Sequence, residues 1–280
     1  MGANDENINS DLKYMKLAIS NIAWKEHEDE EVYSLMKKHG FNGLEIAPTR
    51  FFYKNPYDDL VASSEKSVEL KQKGIDLVSI QSILFGKADL TLFDSEKSRC
   101  DLLAYLKKAV DFAESMGIPN IVFGNPKNRV IKNSSTQYEI AIAFFKELAS
   151  YAHQKGATIA IEPNPKEYNT NFLNTTKEAL TFVEAVNTAG CSLQLDLSTM
   201  IINKEDFSVL DSAIPLASHI HISEPFLEAV GGPRKEIAQL LEKVKLHQYR
   251  HWVSIEMKSH SSGESIAQVE KALHYVSSLI

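Results

Sequence analysis

The sequence predicts an α/β fold of the TIM-barrel type, a single (β/α)8 domain over residues 14–280 behind a polar leader at 1–13. Three observations carry that reading. Eight short, β-prone runs alternate with helical stretches, with roughly 25 to 45 residues between successive strand starts. Several of these runs are apolar at consecutive positions, as strands buried on both faces of a parallel sheet must be. The last four each carry a carboxylate or an imidazole at or near the C-terminal end, where such barrels assemble their sites. An open doubly wound sheet would instead be expected to show a Gly-x-Gly-x-x-Gly turn after an early strand, and none is present.

In order, the first strand is residues 16–20 (Lys-Leu-Ala-Ile-Ser), followed by a short helix at 29–38 that Gly40 stops. The second strand, 43–47, leads into a loop containing Arg50, Phe51, Phe52 and Tyr53, which serves either as a lid over a site or as a subunit contact. A helix at 58–73 is closed by Gly74, and residues 75–81 form the third strand. Ser95 is placed to cap a long helix reaching Met116, which Gly117 and Pro119 end. Residues 120–124 form the fourth strand, with a helix at 135–155 after it. The remaining strands are 158–163, 191–196, 218–223 and 252–257, interleaved with helices at 176–187, 205–212, 234–244 and 264–279.

Composition narrows the function classes. The chain has 280 residues, 44% of them hydrophobic, and a formal net charge of −7 with acids and bases interspersed. That balance argues against a nucleic-acid partner, which needs a basic face. No apolar run approaches the roughly 18 residues of a membrane span, and the acidic leader resembles neither a signal peptide nor a transit sequence. Cys100 and Cys191 lack Cys-x-x-Cys spacing, so two free thiols in a reducing, cytoplasmic setting are expected.

The candidate site lies on strands five to eight. Glu162 ends a strand of sequence Thr-Ile-Ala-Ile, and Pro163 bars its continuation. Asp196 ends the sixth strand, His221 lies near the end of the seventh, and Glu256 near the end of the eighth. Neighbouring strand axes are about 4.8 Å apart, so four inward side chains at one rim can converge. Three carboxylates so gathered would repel one another unless a cation joined them. The hard O/N donor set of Glu162, Asp196, His221 and Glu256 suits one divalent cation, Mn²⁺ first and Mg²⁺ or Co²⁺ next, rather than a structural zinc.

The motifs Ile-Glu-Pro, Leu-Asp-Leu, His-Ile-His-Ile-Ser-Glu and Ile-Glu-Met, in that order, resemble the xylose-isomerase-like superfamily. The nearest likeness is to its sugar (phosphate) isomerase/epimerase branch, which includes the ketose 3-epimerases. The resemblance extends to Gly43-Leu44-Glu45-Ile46 and covers nearly the whole chain. It implies that Glu162, Asp196, His221 and Glu256 bind the cation, with Zn²⁺ a further alternative, and that Glu162 and Glu256 are the catalytic acid and base. The implied activity is metal-dependent isomerisation or epimerisation of a carbohydrate through a metal-stabilised enediolate. The chain departs from the family pattern at two positions. Thr199 stands where a histidine commonly follows the aspartate, and Leu227 where an arginine often follows the ligand histidine. Both departures leave the cation ligands in place and open the question of the substrate.

Further substrate contacts are expected from Lys127, Glu167, His219, Glu224 and Lys258, each of which could instead be a structural or solvated group. Arg129, beside Lys127, is a candidate for a phosphate or a carboxylate. A lyase that expels a β-hydroxyl from the same enediolate and a non-catalytic sugar-binding barrel are the competing readings. A homo-oligomer is compatible with all three.

Overall fold

A computed structural model describes residues 15–132, 134–259 and 264–280; the leader at 1–13 lies outside the described residues. In chain order the elements are β1 (Lys16–Ser20), α1 (Asp29–Lys38), β2 (Gly43–Ile46), α2 (Leu60–Gln72), β3 (Asp76–Ile80), α3 (Glu96–Met116), β4 (Asn120–Phe123) and α4 (Ser134–Gln154). They continue with β5 (Thr158–Ile161), α5 (Thr176–Val186), β6 (Cys191–Asp196), α6 (Leu197–Asn203), α7 (Leu210–Ala213), β7 (Ala217–Ser223), α8 (Lys235–Leu246), β8 (Trp252–Glu256) and α9 (Ser265–Ser277). The strands pair in parallel in sequence order, and β1 pairs with β8 to close the barrel. The expected (β/α)8 barrel is therefore the fold.

The strand sequences explain the two layers. Apolar residues such as Leu17, Ile19, Leu44, Ile121, Ile159, Leu195, Ile220 and Val253 are buried, and with Leu106, Val110, Phe145, Phe182 and Leu240 of the helices they form one continuous core. Other strand positions carry small or polar groups that are equally buried: Ser20, Glu45, Ser79, Asn120, Gln194, His219 and Ser254. These satisfy one another in part across the strands. Asn120 Nδ2 donates to Ser79 Oγ at 3.0 Å, and Ser218 Oγ donates to Asn120 Oδ1 at 2.7 Å. Such polar floors cost desolvation, and this one lies beneath the carboxylates of the barrel mouth.

The helix caps follow the local sequence. Ser95 accepts from the Ser98 amide at 3.1 Å, and Gly117 closes α3 in the left-handed conformation with φ 69°. One helix was not foreseen. Leu197–Asn203 turns helical directly from the end of β6, because the Asp196 carboxylate accepts the Thr199 amide at 2.8 Å and caps it. The expected helix at 205–212 is instead a 3-10 turn, Phe207–Val209, running into the short α7.

Candidate active site

Sheet register brings the four predicted residues together. Asp196 is level with His221 across β6 and β7, and Glu256 is level with Ser223 across β7 and β8. Glu162 follows β5, its amide donating to Phe123 O at 3.2 Å. One donor atom from each of Glu162, Asp196, His221 and Glu256 lies within 4.8 Å of the other three. All four side chains are buried.

His221 is the centre of the arrangement. Its Nδ1 lies 3.1 Å from Glu162 Oε1 and 3.3 Å from Glu256 Oε2, yet is without a hydrogen-bond partner among the described residues. Its Nε2 lies 3.1 Å from both oxygens of Glu45, a carboxylate with no exposed surface. Glu45 fixes the tautomer, because a carboxylate can only accept and Nε2 must then carry the hydrogen. With Nε2 so committed, Nδ1 is the ring atom turned toward the two carboxylates; a proton there offsets part of their charge in the cation-free cluster, and a shared divalent cation would take its place. Glu45 is itself held, accepting from Gln81 Nε2 at 3.1 Å and lying 2.9 Å from His219 Nε2.

Asp196 and Glu162 are held by neighbouring side chains as well. Asp196 Oδ1 accepts from Ser223 Oγ at 2.5 Å, and its Oδ2 faces the Thr199 hydroxyl at 2.7 Å and the Ser198 hydroxyl at 3.1 Å. Glu162 Oε2 accepts from Asn164 Nδ2 at 3.1 Å. Gly124 supplies the space, since a Cβ there would fall 1.8 Å from Glu162 Oε2.

The electrostatics report the crowding. Burial raises the Asp196 carboxyl above its ordinary range, and the charge of Glu162 adds to the effect. Burial likewise raises Glu256, against the pull of His221. Burial alone would lower the His221 imidazole, but Glu256, Glu45 and Glu162 outweigh it and hold it well above the usual histidine value. Glu45 goes the other way: burial would raise it, but His221 and His219 bring it far below the carboxylate norm. Without a cation the cluster must take up protons to relieve its own charge. The residues present therefore fit a divalent cation.

Above the cluster is a cavity of about 260 Å³, lined by Gln81, Gly124, Asn125, Asn164, Tyr168, Ser198 and Leu227 together with Glu162, Asp196 and Glu256. Its rim is a clasp between two loops. The Phe226 amide donates to Tyr168 Oη at 2.9 Å, the two rings meet edge to face, and Tyr168 Oη lies 3.2 Å from Ser198 Oγ. Phe226 and Leu227 both adopt left-handed backbone, φ 61° and 59°, and Leu227 lines the cavity.

The expected substrate contacts are placed unevenly. His219 is buried beneath the cluster, against Glu45. Lys127 and Glu167 are exposed and do not line the cavity. Glu224 accepts from Arg234 Nε at 2.6 Å, while Lys258 directs its ammonium to Phe226 O at 3.2 Å. Arg50 pairs with Asp29 at 2.9 Å away from the cavity wall. Sequence reasoning gave no role to Glu45, Gln81, Gly124, Asn164 or Tyr168. For Glu45 the signal was present: an acid inside an apolar strand is the same pattern that picked out Glu162.

Comparison with known proteins agrees with this picture. The family model described as xylose isomerase-like TIM barrel matches residues 33–279. A probable ketose 3-epimerase from Synechocystis sp. is 26% identical over 255 residues, covering 86% of this chain and 84% of that protein. The crystal structure of D-psicose 3-epimerase in the presence of D-fructose superposes with a TM-score of 0.76 at 19% identity, over 94% of this chain and 96% of that one. A 3-keto-D-glucoside 4-epimerase from E. coli, in its apo form, also gives 0.76 at 19%, over 95% and 100%. Among the described residues, no helix is long and apolar enough to cross a membrane.

Proposed function

The chain belongs to the xylose isomerase-like TIM-barrel family, and on that premise we propose that it is an isomerase, an epimerase of free ketoses that uses one divalent cation and two glutamates. The observation that carries the reading is the meeting of Glu162, Asp196, His221 and Glu256 around one point at the mouth of the barrel. A divalent cation held by these four, Mn²⁺ by preference for the hard donor set, would polarise the sugar carbonyl and stabilise the charge that builds on its oxygen.

The protein's own groups do the rest. Glu162 accepts the proton from the carbon next to the carbonyl, whose C–H electron pair becomes the C=C bond of an enediolate. Glu256, three strands away, returns a proton to that carbon from the other side, and the configuration inverts; in the reverse reaction the two exchange roles. The Tyr168–Phe226 clasp and the apolar side chain of Leu227 limit water at the reacting carbon.

The cavity lining supports a neutral substrate. Among the described residues lining it there is no lysine or arginine, so nothing there would pair with a phosphate, and the anionic cluster would repel one. The free thiols Cys100 and Cys191 fit a reducing compartment such as the cytoplasm.

The test is incubation of the metal-loaded protein with free ketoses and their phosphates in deuterated buffer. Deuterium at one carbon, with a product of otherwise unchanged composition, is expected for a free ketose. Loss of water from the product would establish the lyase instead, and no exchange across the panel would refute the reading.

A further inference from the structure

Arg129 has no exposed surface. The sequence placed it in a loop open to external anions, whereas the fold turns it inward behind the cavity wall. Its Nη2 donates to the backbone carbonyl of Glu162 at 2.6 Å and to Asn164 Oδ1 at 2.9 Å. Its guanidinium carbon lies 5.8 Å from the Phe123 ring centroid, and Nε and Nη1 have no hydrogen-bond partner among the described residues. Burying a cation in this way is expensive, and an apolar side chain of similar volume would fill the space at less cost. Burial lowers its pKa to about 10, so it remains charged at neutral pH.

What the arginine gains for the site is the orientation of one amide. A guanidinium only donates, so Asn164 must turn its oxygen toward Arg129. Its Nδ2 then faces Glu162 Oε2 at 3.1 Å and Pro163 O at 2.9 Å. The flipped amide would set donor against donor at Arg129 and oxygen against oxygen at Glu162. With Gly124 leaving space on one side, Oε2 is held next to Asn164 while Oε1 stays 3.1 Å from His221 Nδ1. Glu256 has no such amide among the described residues. The two glutamates are thus supported differently.

We propose that Arg129 is a positioning residue for proton transfer, acting through Asn164 to pin Glu162 with Oε1 toward the shared centre and Oε2 on the cavity side. The inference rests on the reading of Glu162 as a proton-transfer group. The test measures deuterium incorporation into the ketose, KM, and Mn²⁺ affinity by calorimetry in Arg129→Met, Arg129→Lys and Asn164→Asp. Arg129→Met is expected to slow incorporation at saturating Mn²⁺ about 10- to 100-fold, with KM and Mn²⁺ affinity each within about threefold of the unaltered protein. Arg129→Lys, which restores one donor, recovers part of the rate. Asn164→Asp keeps a partner for Arg129 but sets a carboxylate oxygen against Oε2, and loses at least as much as Arg129→Met.

Incorporation within twofold of the unaltered protein in Arg129→Met overturns the proposal. So does a raised KM with kcat unchanged, which would make the arginine a binding group, or a loss explained wholly by weaker Mn²⁺ binding. Should Arg129→Met fail to fold, Asn164→Asp, which is nearly the same size and shape, decides by the same criteria. Absence of exchange in the unaltered protein would refute the underlying functional reading instead.

Discussion

The two halves of the barrel contribute to the mouth in different ways. Strands β5 to β8 and their ends supply every member of the four-residue cluster: Glu162, Asp196, His221 and Glu256. The first half, β1 to β4 and the turns after them, reaches the same place through groups that hold those residues. Glu45 fixes the His221 tautomer, Gln81 donates to Glu45, Gly124 makes room for Glu162, and Arg129 orients the amide beside it. The second half offers the cluster and, through Asn164, Ser198, Thr199 and Ser223, part of its support, whereas the first half offers support alone. The lesson is that a mixed donor set needs a scaffold opposite it, because anionic side chains packed this closely have no preferred orientation of their own.

That contrast can be broken by experiment, beginning where the effect should be greatest. Glu162→Gln or Glu256→Gln should reduce solvent deuterium exchange roughly 10³-fold, while circular dichroism shows the barrel intact. On the supporting side, Gly124→Ala places a methyl group 1.8 Å from Glu162 Oε2. The carboxylate has to move, and exchange should fall about 100-fold with a lower melting temperature. Glu45→Gln removes the charge behind His221 without changing its shape, and calorimetry should find Mn²⁺ affinity weakened about 10- to 100-fold. If Gly124→Ala and Glu45→Gln left exchange and affinity unchanged, the first half would be a wall and nothing more.

A smaller effect should appear in the dependence of stability on pH. The folded pKa of His221 is raised, so its charged form stabilises the cation-free protein below about pH 6.5, and that contribution is lost as pH rises through the folded value. Asp196 and Glu256, also raised, act in the same direction at their own pKa values. Scanning calorimetry should therefore find the Tm of the metal-free protein declining toward alkaline pH. Stabilisation by Mn²⁺ should widen over the same range, reaching roughly 5–10 °C at a hundredfold excess over Kd. Smallest of all, Lys127→Ala alters an exposed side chain outside the cavity and should change kcat/KM less than twofold.

Much of this could be read from the chain because strand ends are local. An apolar run stopped by an acid and a proline, as at Glu162, signals a buried strand and its tip together. Asp196 and Glu256 follow the same logic, so the strand ends alone mark the acids of the cluster. The supporting half was harder to see, since its meaning depends on register and on side-chain direction. Arg129 follows a strand in a polar loop, and nothing local says that it points inward. Asn164 looks like an ordinary loop residue until Arg129 and Glu162 lie on either side of it. The α6 helix is hidden for a related reason: Asp196 ends a strand and at the same time caps the helix that follows, and the sequence pattern shows only the first of these.

Gly124 has a consequence for how such proteins diverge. Any side chain at that position would occupy the space of a carboxylate contributed by the next strand, so drift there is closed unless the glutamate shifts as well. A homologue carrying alanine or serine at the corresponding place must hold its acid elsewhere, and one small residue becomes a marker for the layout of a distant one.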